Sequence, residues 1–336
     1  MSQPRNESPL DSPFLQEAHL SSFILEFRYN HLMDVVRHSV VLVLTLLVSL
    51  VSCKPAPPPI DAAYSAEIQT WRAQREERLR APDGWLSLVG LHWLDEGVNR
   101  LGSDPEAEVF LEAPGIGRQI GTIIVNQDQA TLTVATGAKV ILDGTLIDHA
   151  KVLLSDADEG GPDLLEIGRL SAYVIQRGDR MAVRVKDPDA PSRVNFSGIE
   201  NFPLNPAFKV EARLEAYAEP RDVIIPTAVG TEDHMLCPGI LHFTVDGRDL
   251  ELQPWINTPE DRNLFIVFLD GTSGHLTYGA GRFLSAELRK DGTATLDFNK
   301  GTTPPCGFTP FATCPLAPPE NALPVDISAG EQLLGH

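Results

Sequence analysis

Cys306 and Cys314 lie in the proline-rich stretch Pro304-Pro305-Cys306-Gly-Phe308-Thr-Pro310-Phe311-Ala-Thr-Cys314-Pro315, with seven residues between them, and carry the most reactive atoms of this 336-residue sequence. Three chemistries fit the pair. In an oxidising compartment a Cys306–Cys314 disulfide closes the loop and restricts the unfolded chain, a contribution on the order of 2–3 kcal/mol; this is the expected state. With His234 and Cys237 the pair supplies four soft metal ligands, although the spacing matches no zinc signature. Alone, a Cys306 thiolate is a nucleophile, for which no adjacent motif supplies a base. No metal and no cofactor is expected, and Cys237, next to Pro238, reads as a buried free thiol.

Asp270, Asp297 and Asn299 are the candidate carboxylates and amide of a pocket. Asp297 and Asn299 stand two apart, which on a strand puts both on one face and Phe298 on the other. With Tyr278 and Arg282 they form a ligand-binding set able to hold a sugar hydroxyl or position a water. The plainer alternative makes Asp270, before Gly271, a turn residue and Asn299 a strand-end cap. The catalytic assignment stays open among Asp297, Asp270, His92 and Cys306. Arg177, Arg184 and Arg282 either anchor buried carboxylates such as Asp187 or Asp297, or clamp an anionic ligand. Trp85, Trp93 and Tyr278 either stack on a sugar ring or fill a core, the second being expected. The sequence has no Gly-x-Ser-x-Gly elbow, no His-Glu-x-x-His pair and no phosphate-binding loop.

The elements that position these residues are mostly short strands. Phe208 to Tyr217 and Met181 to Lys186 alternate apolar and polar residues, as half-buried strands do. The pairs Asp143-Gly144, Gly178-Asp179, Asp246-Gly247 and Asp291-Gly292 supply tight turns between such runs. One helix is expected over 61–80, with Tyr64, Ile68, Trp71 and Leu79 on its apolar face and Pro82-Asp83-Gly84 as its stop. No βαβ rhythm appears. The expected class is mainly β, an antiparallel β-sandwich or open barrel with one N-terminal helix.

Charge and the N-terminal segment bound the setting. The chain has 27 basic and 46 acidic residues, a net charge of −19, so nucleic acid is excluded as a partner. Thirteen uncharged residues, Ser39 to Val51, follow Arg37, and Leu50-Val51-Ser52-Cys53 resembles the lipobox of bacterial lipoproteins. The implied division is a doubtful upstream extension at 1–32, a signal peptide at 33–52 and a Pro-rich tether at 53–60. A single β-rich domain follows at 61–331, with strands after 85 and the Cys loop at 304–321. Cys53 is then the lipidation site and the membrane a partner through its lipid. Lys54 directs the protein to the outer membrane, facing the periplasm, if the source is Gram-negative.

Several phrases carry a family likeness. Gly84-Trp85-Leu86-Ser87-Leu88-Val89-Gly90-Leu91 with Trp93-Leu94, Thr277-Tyr278-Gly279 with Arg282, and Asp297-Phe298-Asn299 resemble the family of domains of unknown function numbered 1684. The most specific match runs from Pro304-Pro305-Cys306 through Cys314-Pro315-Leu316 to Pro318-Pro319-Glu320-Asn321, and the likeness extends from about Trp71 to Glu331. It implies a shared fold and brings no activity with it. The functional expectation is therefore a cell-envelope lipoprotein that binds a small ligand or is structural. The alternative is an envelope hydrolase acting on a glycan or ester through Asp297, Asp270 or Cys306.

Overall fold

The computed structural model describes residues 60–333. The signal segment 33–52, Cys53 and the extension at 1–32 lie outside the described residues. Helix α1 (Ala62–Arg80) opens where the Asp61 carboxylate accepts the Tyr64 N–H at 2.8 Å, and it stops at Ala81, which takes an extended conformation ahead of Pro82. Among the described residues no helix is long and apolar enough to cross a membrane.

Eleven strands make up the first half: β1 (Leu88–Trp93), β2 (Gly97–Gly102), β3 (Val109–Phe110), β4 (Gly121–Asn126), β5 (Gln129–Val134), β6 (Val140–Leu142), β7 (Thr145–Ile147), β8 (Lys151–Leu153), β9 (Leu165–Ile167), β10 (Leu170–Arg177) and β11 (Arg180–Lys186). They form a six-stranded sheet in the order β1-β11-β10-β9-β6-β7 and a five-stranded sheet in the order β3-β2-β4-β5-β8. Inward residues of both sheets, among them Leu101, Ile123, Leu132, Val140, Val174, Val183 and Val185, share one core. Pairing is antiparallel except between β2 and β3.

The second half has β12 (Lys209–Pro226), β13 (Glu232–Val245), β14 (Arg248–Leu252), β15 (Asn263–Phe268), β16 (Arg282–Glu287) and β17 (Thr293–Asp297). A four-stranded sheet, β14-β13-β12-β17, and the β15–β16 ribbon enclose a second core around Leu241, Leu252, Ile266, Phe268, Leu296 and Phe298. The fold is thus mainly β and antiparallel, with one N-terminal helix and no closed barrel. Asp143 and Asp246 have φ of 47° and 48°, the left-handed conformation that their hairpin turns require. Asp291-Gly292 behaves differently: it leads into β17, which pairs with β12 and not with β16.

Strand β11 sets up the site. Met181, Val183 and Val185 enter the first core, so by the two-residue period Ala182 and Arg184 face the other way. Yet both faces of β11 are buried. The segment that covers the outer face is the Cys loop.

Candidate functional site

After β17 the chain makes a 3-10 turn at Phe298–Lys300 and crosses the outer face of β10 and β11. Thr313 fixes the crossing: its Oγ1 accepts Arg177 Nε at 3.0 Å and Arg184 Nη2 at 3.2 Å. The end of the β12–β13 hairpin fixes the other side, with Ala228 N–H donating to the Cys314 carbonyl and Leu316 N–H to that of Pro226, both at 2.9 Å. Phe308 packs edge-on against Phe196, 6.2 Å between centroids. Prolines 304, 305, 310, 315 and 318 lack the N–H groups a strand ladder needs, so the loop is held by these few specific bonds.

The floor of the crossing holds Arg184, which is only 3 % exposed. Among the described residues no carboxylate pairs with it. Its Nη1 makes a long 3.4 Å bond to Tyr173 Oη, and its Nε is covered and without a partner. The Trp85 ring, 5.4 Å from the guanidinium carbon, and the Tyr173 ring, 5.9 Å away, wall it in, and Trp85 remains 38 % exposed. Neighbouring Arg177, by contrast, pairs with Asp156 at 2.9 Å.

Cys306 and Cys314 meet above this floor. The expected disulfide between them is not formed: both are free thiols, as is Cys237. Each sulfur instead accepts the other residue's backbone N–H, Cys314 N to Cys306 Sγ at 3.3 Å and Cys306 N to Cys314 Sγ at 3.1 Å. The loop is therefore held by hydrogen bonds where a covalent closure was expected. The Cys314 thiol hydrogen bond, the Cys314 backbone N–H and the Arg184 charge lower the Cys306 pKa to about 7. The same thiol contact, with burial, pushes Cys314 up. Tyr278 belongs here too. Burial and the two sulfurs raise its phenol, and a Cβ on Gly307 would lie 3.3 Å from its ring.

The remaining candidates lie elsewhere. Asp270 and Arg282 form an ion pair at 2.7 Å in which neither side chain has any exposure. Arg282 also donates to the carbonyls of Ile327 and Ala329, and Asp270 Oδ1 accepts from Thr272 N, Thr272 Oγ1 and Ile327 N, so the pair clamps the C-terminal segment onto the second core. Asp297 ends β17 and caps the following turn, so the expected strand stops before Asn299. The two still meet, because Asn299 Nδ2 donates to Asp297 Oδ1 at 3.1 Å, and Tyr64 of α1 donates its hydroxyl there at 2.8 Å. Asp297 Oδ2 is buried and unpartnered.

His92, on β1, lines a separate cleft of about 680 Å³ with Val89, Phe110, Arg169 and Asp187. Burial lowers its pKa, and Arg169 is engaged by Asp187 at 2.7 Å and Asp189 at 3.4 Å. Trp93 lies under Arg180, 4.0 Å from its guanidinium carbon. His234, Cys237, Cys306 and Cys314 do not gather: His234 is exposed beside Asp222, and Cys237 donates to the Gly239 carbonyl. Among the described residues no group of three potential ligands could hold a metal ion.

Sequence reasoning gave Arg184 no special place among the three arginines. The signal was present, since Arg184 is the lone charge within the apolar run Met181 to Val185 of a strand covered on both faces. Arg72 and Arg75 of α1 stand outside the apolar face expected from Tyr64, Ile68, Trp71 and Leu79. Both turn inward, Arg72 to the Phe202 carbonyl at 3.0 Å and Arg75 to buried Glu331 at 3.0 Å. Burial raises the Glu331 pKa and the Arg75 charge opposes that shift.

No curated protein matches the chain. A solved structure, the solution NMR structure of the uncharacterized protein from gene locus rrnAC0354 of Haloarcula marismortui, is 31% identical over 45% of this chain and 85% of that one, with a TM-score of 0.38. The family model described as "Protein of unknown function (DUF1684)" matches residues 194–332, a span that holds both loop cysteines and Tyr278 and begins after Arg184. Residues 194–332 are thus a domain of the DUF1684 family, set against a β-rich N-terminal half that contributes the arginine of the site.

Proposed function

We propose that this chain is a small-ligand-binding protein whose ligand is an anion, seated against Arg184 where the Cys loop crosses β10 and β11. The carrying observation is a buried guanidinium that, among the described residues, has no carboxylate, in a protein of net charge −19. An unpaired buried cation costs several kcal/mol, and in a chain rich in acids the partner missing at Arg184 is not missing for want of supply. Two bonds of 3.2 and 3.4 Å engage only part of its five-donor fork. That fork matches the two oxygens of a carboxylate, and the exposed edge of Trp85 offers an apolar wall for the rest of a small molecule.

The thiol beside Arg184 supports a second reading, a hydrolase that attacks an ester through Cys306. Among the described residues no imidazole or carboxylate hydrogen-bonds its sulfur, so the binder is preferred. Asp270 and Asp297 gain no support as an acid–base pair, one being committed to Arg282 and the other covered by Tyr64. The setting we propose is the cell envelope, with the domain tethered through lipid on Cys53.

Thermal unfolding with acetate, succinate, citrate and inorganic phosphate tests the ligand class. One or more of these anions should raise the midpoint of the wild type and leave that of Arg184→Gln unmoved. A panel without effect on the wild type, or equal shifts in both proteins, would refute the reading. Metabolic labelling with an alkynyl fatty acid, present in the wild type and absent in Cys53→Ser, tests the anchor.

A further inference from the structure

Cys306 and Cys314 occupy unequal settings. Cys306 is half-buried; its sulfur accepts the Cys314 backbone N–H at 3.3 Å and donates to the Ala312 carbonyl at 3.4 Å, while its own N–H reaches Cys314 Sγ at 3.1 Å. Cys314 is buried, 6 % exposed, and the Cys306 contact with burial holds it as a thiol. An attacking thiol works best with a pKa near ambient pH, and Cys306 sits at about 7. A resolving thiol must be protonated at rest and within reach of the attacking sulfur, which describes Cys314. Beside them stands buried Arg184, which no carboxylate among the described residues neutralises.

We propose that Cys306 is the attacking and Cys314 the resolving thiol of an exchange site that reduces small carboxylate-bearing disulfides, a substrate class that rests on the anion-binding reading of Arg184. In the first step the Cys306 thiolate bonds to one sulfur of a substrate R–S–S–R, the substrate S–S bond breaks, and R–S⁻ leaves. In the second, Cys314 gives its proton to solvent and attacks Cys306 Sγ, expelling the other R–S⁻. Two electrons pass from the protein dithiol to the substrate, and the two thiol protons balance the two R–SH produced. A bond between the cysteines belongs only to the oxidised product, and a second thiol compound restores the resting dithiol by the reverse exchange.

The reduced full-length chain is mixed with oxidised glutathione, which is anionic, or with neutral 2-hydroxyethyl disulfide, then quenched and digested with trypsin. No Lys or Arg follows Lys300, so both cysteines lie on the peptide 301–336. In the wild type this peptide should become two hydrogens lighter. Cys314→Ser and Cys314→Ala should each accumulate a glutathione adduct on Cys306, and Cys306→Ser should stay unreactive at Cys314. Corrected for each probe's rate with a free thiol, the anionic disulfide should react roughly tenfold faster, the scale of one close charge contact. Arg184→Gln should bring that ratio near one.

Absence of adduct in both folded Cys314 variants would overturn the exchange proposal, while carboxylate stabilisation lost in Arg184→Gln would still uphold the binding reading. Adduct formation with no charge preference in the wild type would overturn the assigned substrate class, while the anion reading of Arg184 would still stand or fall on the thermal shifts of the wild type against Arg184→Gln.

Discussion

Asp270→Asn separates a structural clamp from a ligand site. The substitution keeps shape and removes charge from a pair in which neither side chain has any exposure. Arg282 would then be a buried cation facing a neutral amide. Burial already lowers its pKa, and the Asp270 charge is the chief force opposing that. The amide also meets donors on both sides. Thr272 N–H, the Thr272 hydroxyl and Ile327 N–H all point at Oδ1, and Arg282 Nη2 points at Oδ2, so either orientation of the Asn sets an NH₂ group against a donor. Breaking a buried pair by removing one partner costs about 3–5 kcal/mol, and this site belongs in the upper part of that range. Against a total stability of about 5–15 kcal/mol, a loss of ~4 kcal/mol is a large fraction. Urea unfolding followed through the fluorescence of buried Trp255 reads it. With a slope of about 3 kcal/mol/M the midpoint should fall by more than ~1 M. Asp270→Asn combined with Arg282→Met should cost less than the sum of the single changes, since the second removes the cation the first leaves alone. A midpoint within ~0.3 M of the wild type, with unchanged slope, would refute the clamp and return Asp270 and Arg282 to the list of ligand residues.

Tyr64→Phe keeps the ring under Lys209, 4.2 Å from its Nζ, but removes the hydroxyl that Asp297 accepts; stability to urea should drop by about 1–3 kcal/mol, and a loss below ~0.5 kcal/mol would dismiss the contact. His92 should weaken the fold in mild acid. Burial lowers its folded-state pKa below 6.5, so the stability present above that value is lost as pH falls toward the folded-state value, because the unfolded chain takes a proton the native site refuses. His92→Gln should lose less stability between pH 6.5 and 5.5 than the wild type in parallel urea titrations. Alkylation of Cys306 by neutral iodoacetamide should rise with a midpoint of about pH 7, and Arg184→Gln should move that midpoint upward; a midpoint near the ordinary 9.0 in the wild type would contradict the geometry.

Local pattern was enough to read the elements, because each follows from a short stretch of chain. The alternation from Phe208 predicted β12, the Asp-Gly pairs predicted the tight turns, and Asp61 and Pro82 bracketed α1. Partners were not legible, because they are decided by packing between segments far apart. Tyr64 meets Asp297 across 233 positions, and Arg184 meets Thr313 across 129. The inward turn of Arg72 and Arg75 was hidden for the same reason. Their acceptors, the Phe202 carbonyl and Glu331, are brought beneath the helix only when the C-terminal segment packs there. Asp291-Gly292 looked like any hairpin turn, yet β17 pairs with β12 and the strand before it, β16, pairs with β15, a choice between distant segments that the turn residues do not encode.

The Cys314 thiol and backbone N–H do most to lower the Cys306 pKa, and the Arg184 charge adds to them. Arg282, Arg75 and Arg177 each found a carboxylate, whereas among the described residues Arg184 has none and its charge acts on the Cys306 sulfur. A thiolate there neutralises the guanidinium only in part and only while Cys306 is ionised. An anion that binds Arg184 competes for the same positive field, so it must raise the Cys306 pKa, and by reciprocity the thiolate must weaken the anion. Saturating succinate should therefore move the alkylation midpoint above 7 in the wild type and leave it in place in Arg184→Gln. An unmoved wild-type midpoint, under conditions where succinate demonstrably stabilises the protein, would mean that the anion binds away from Arg184.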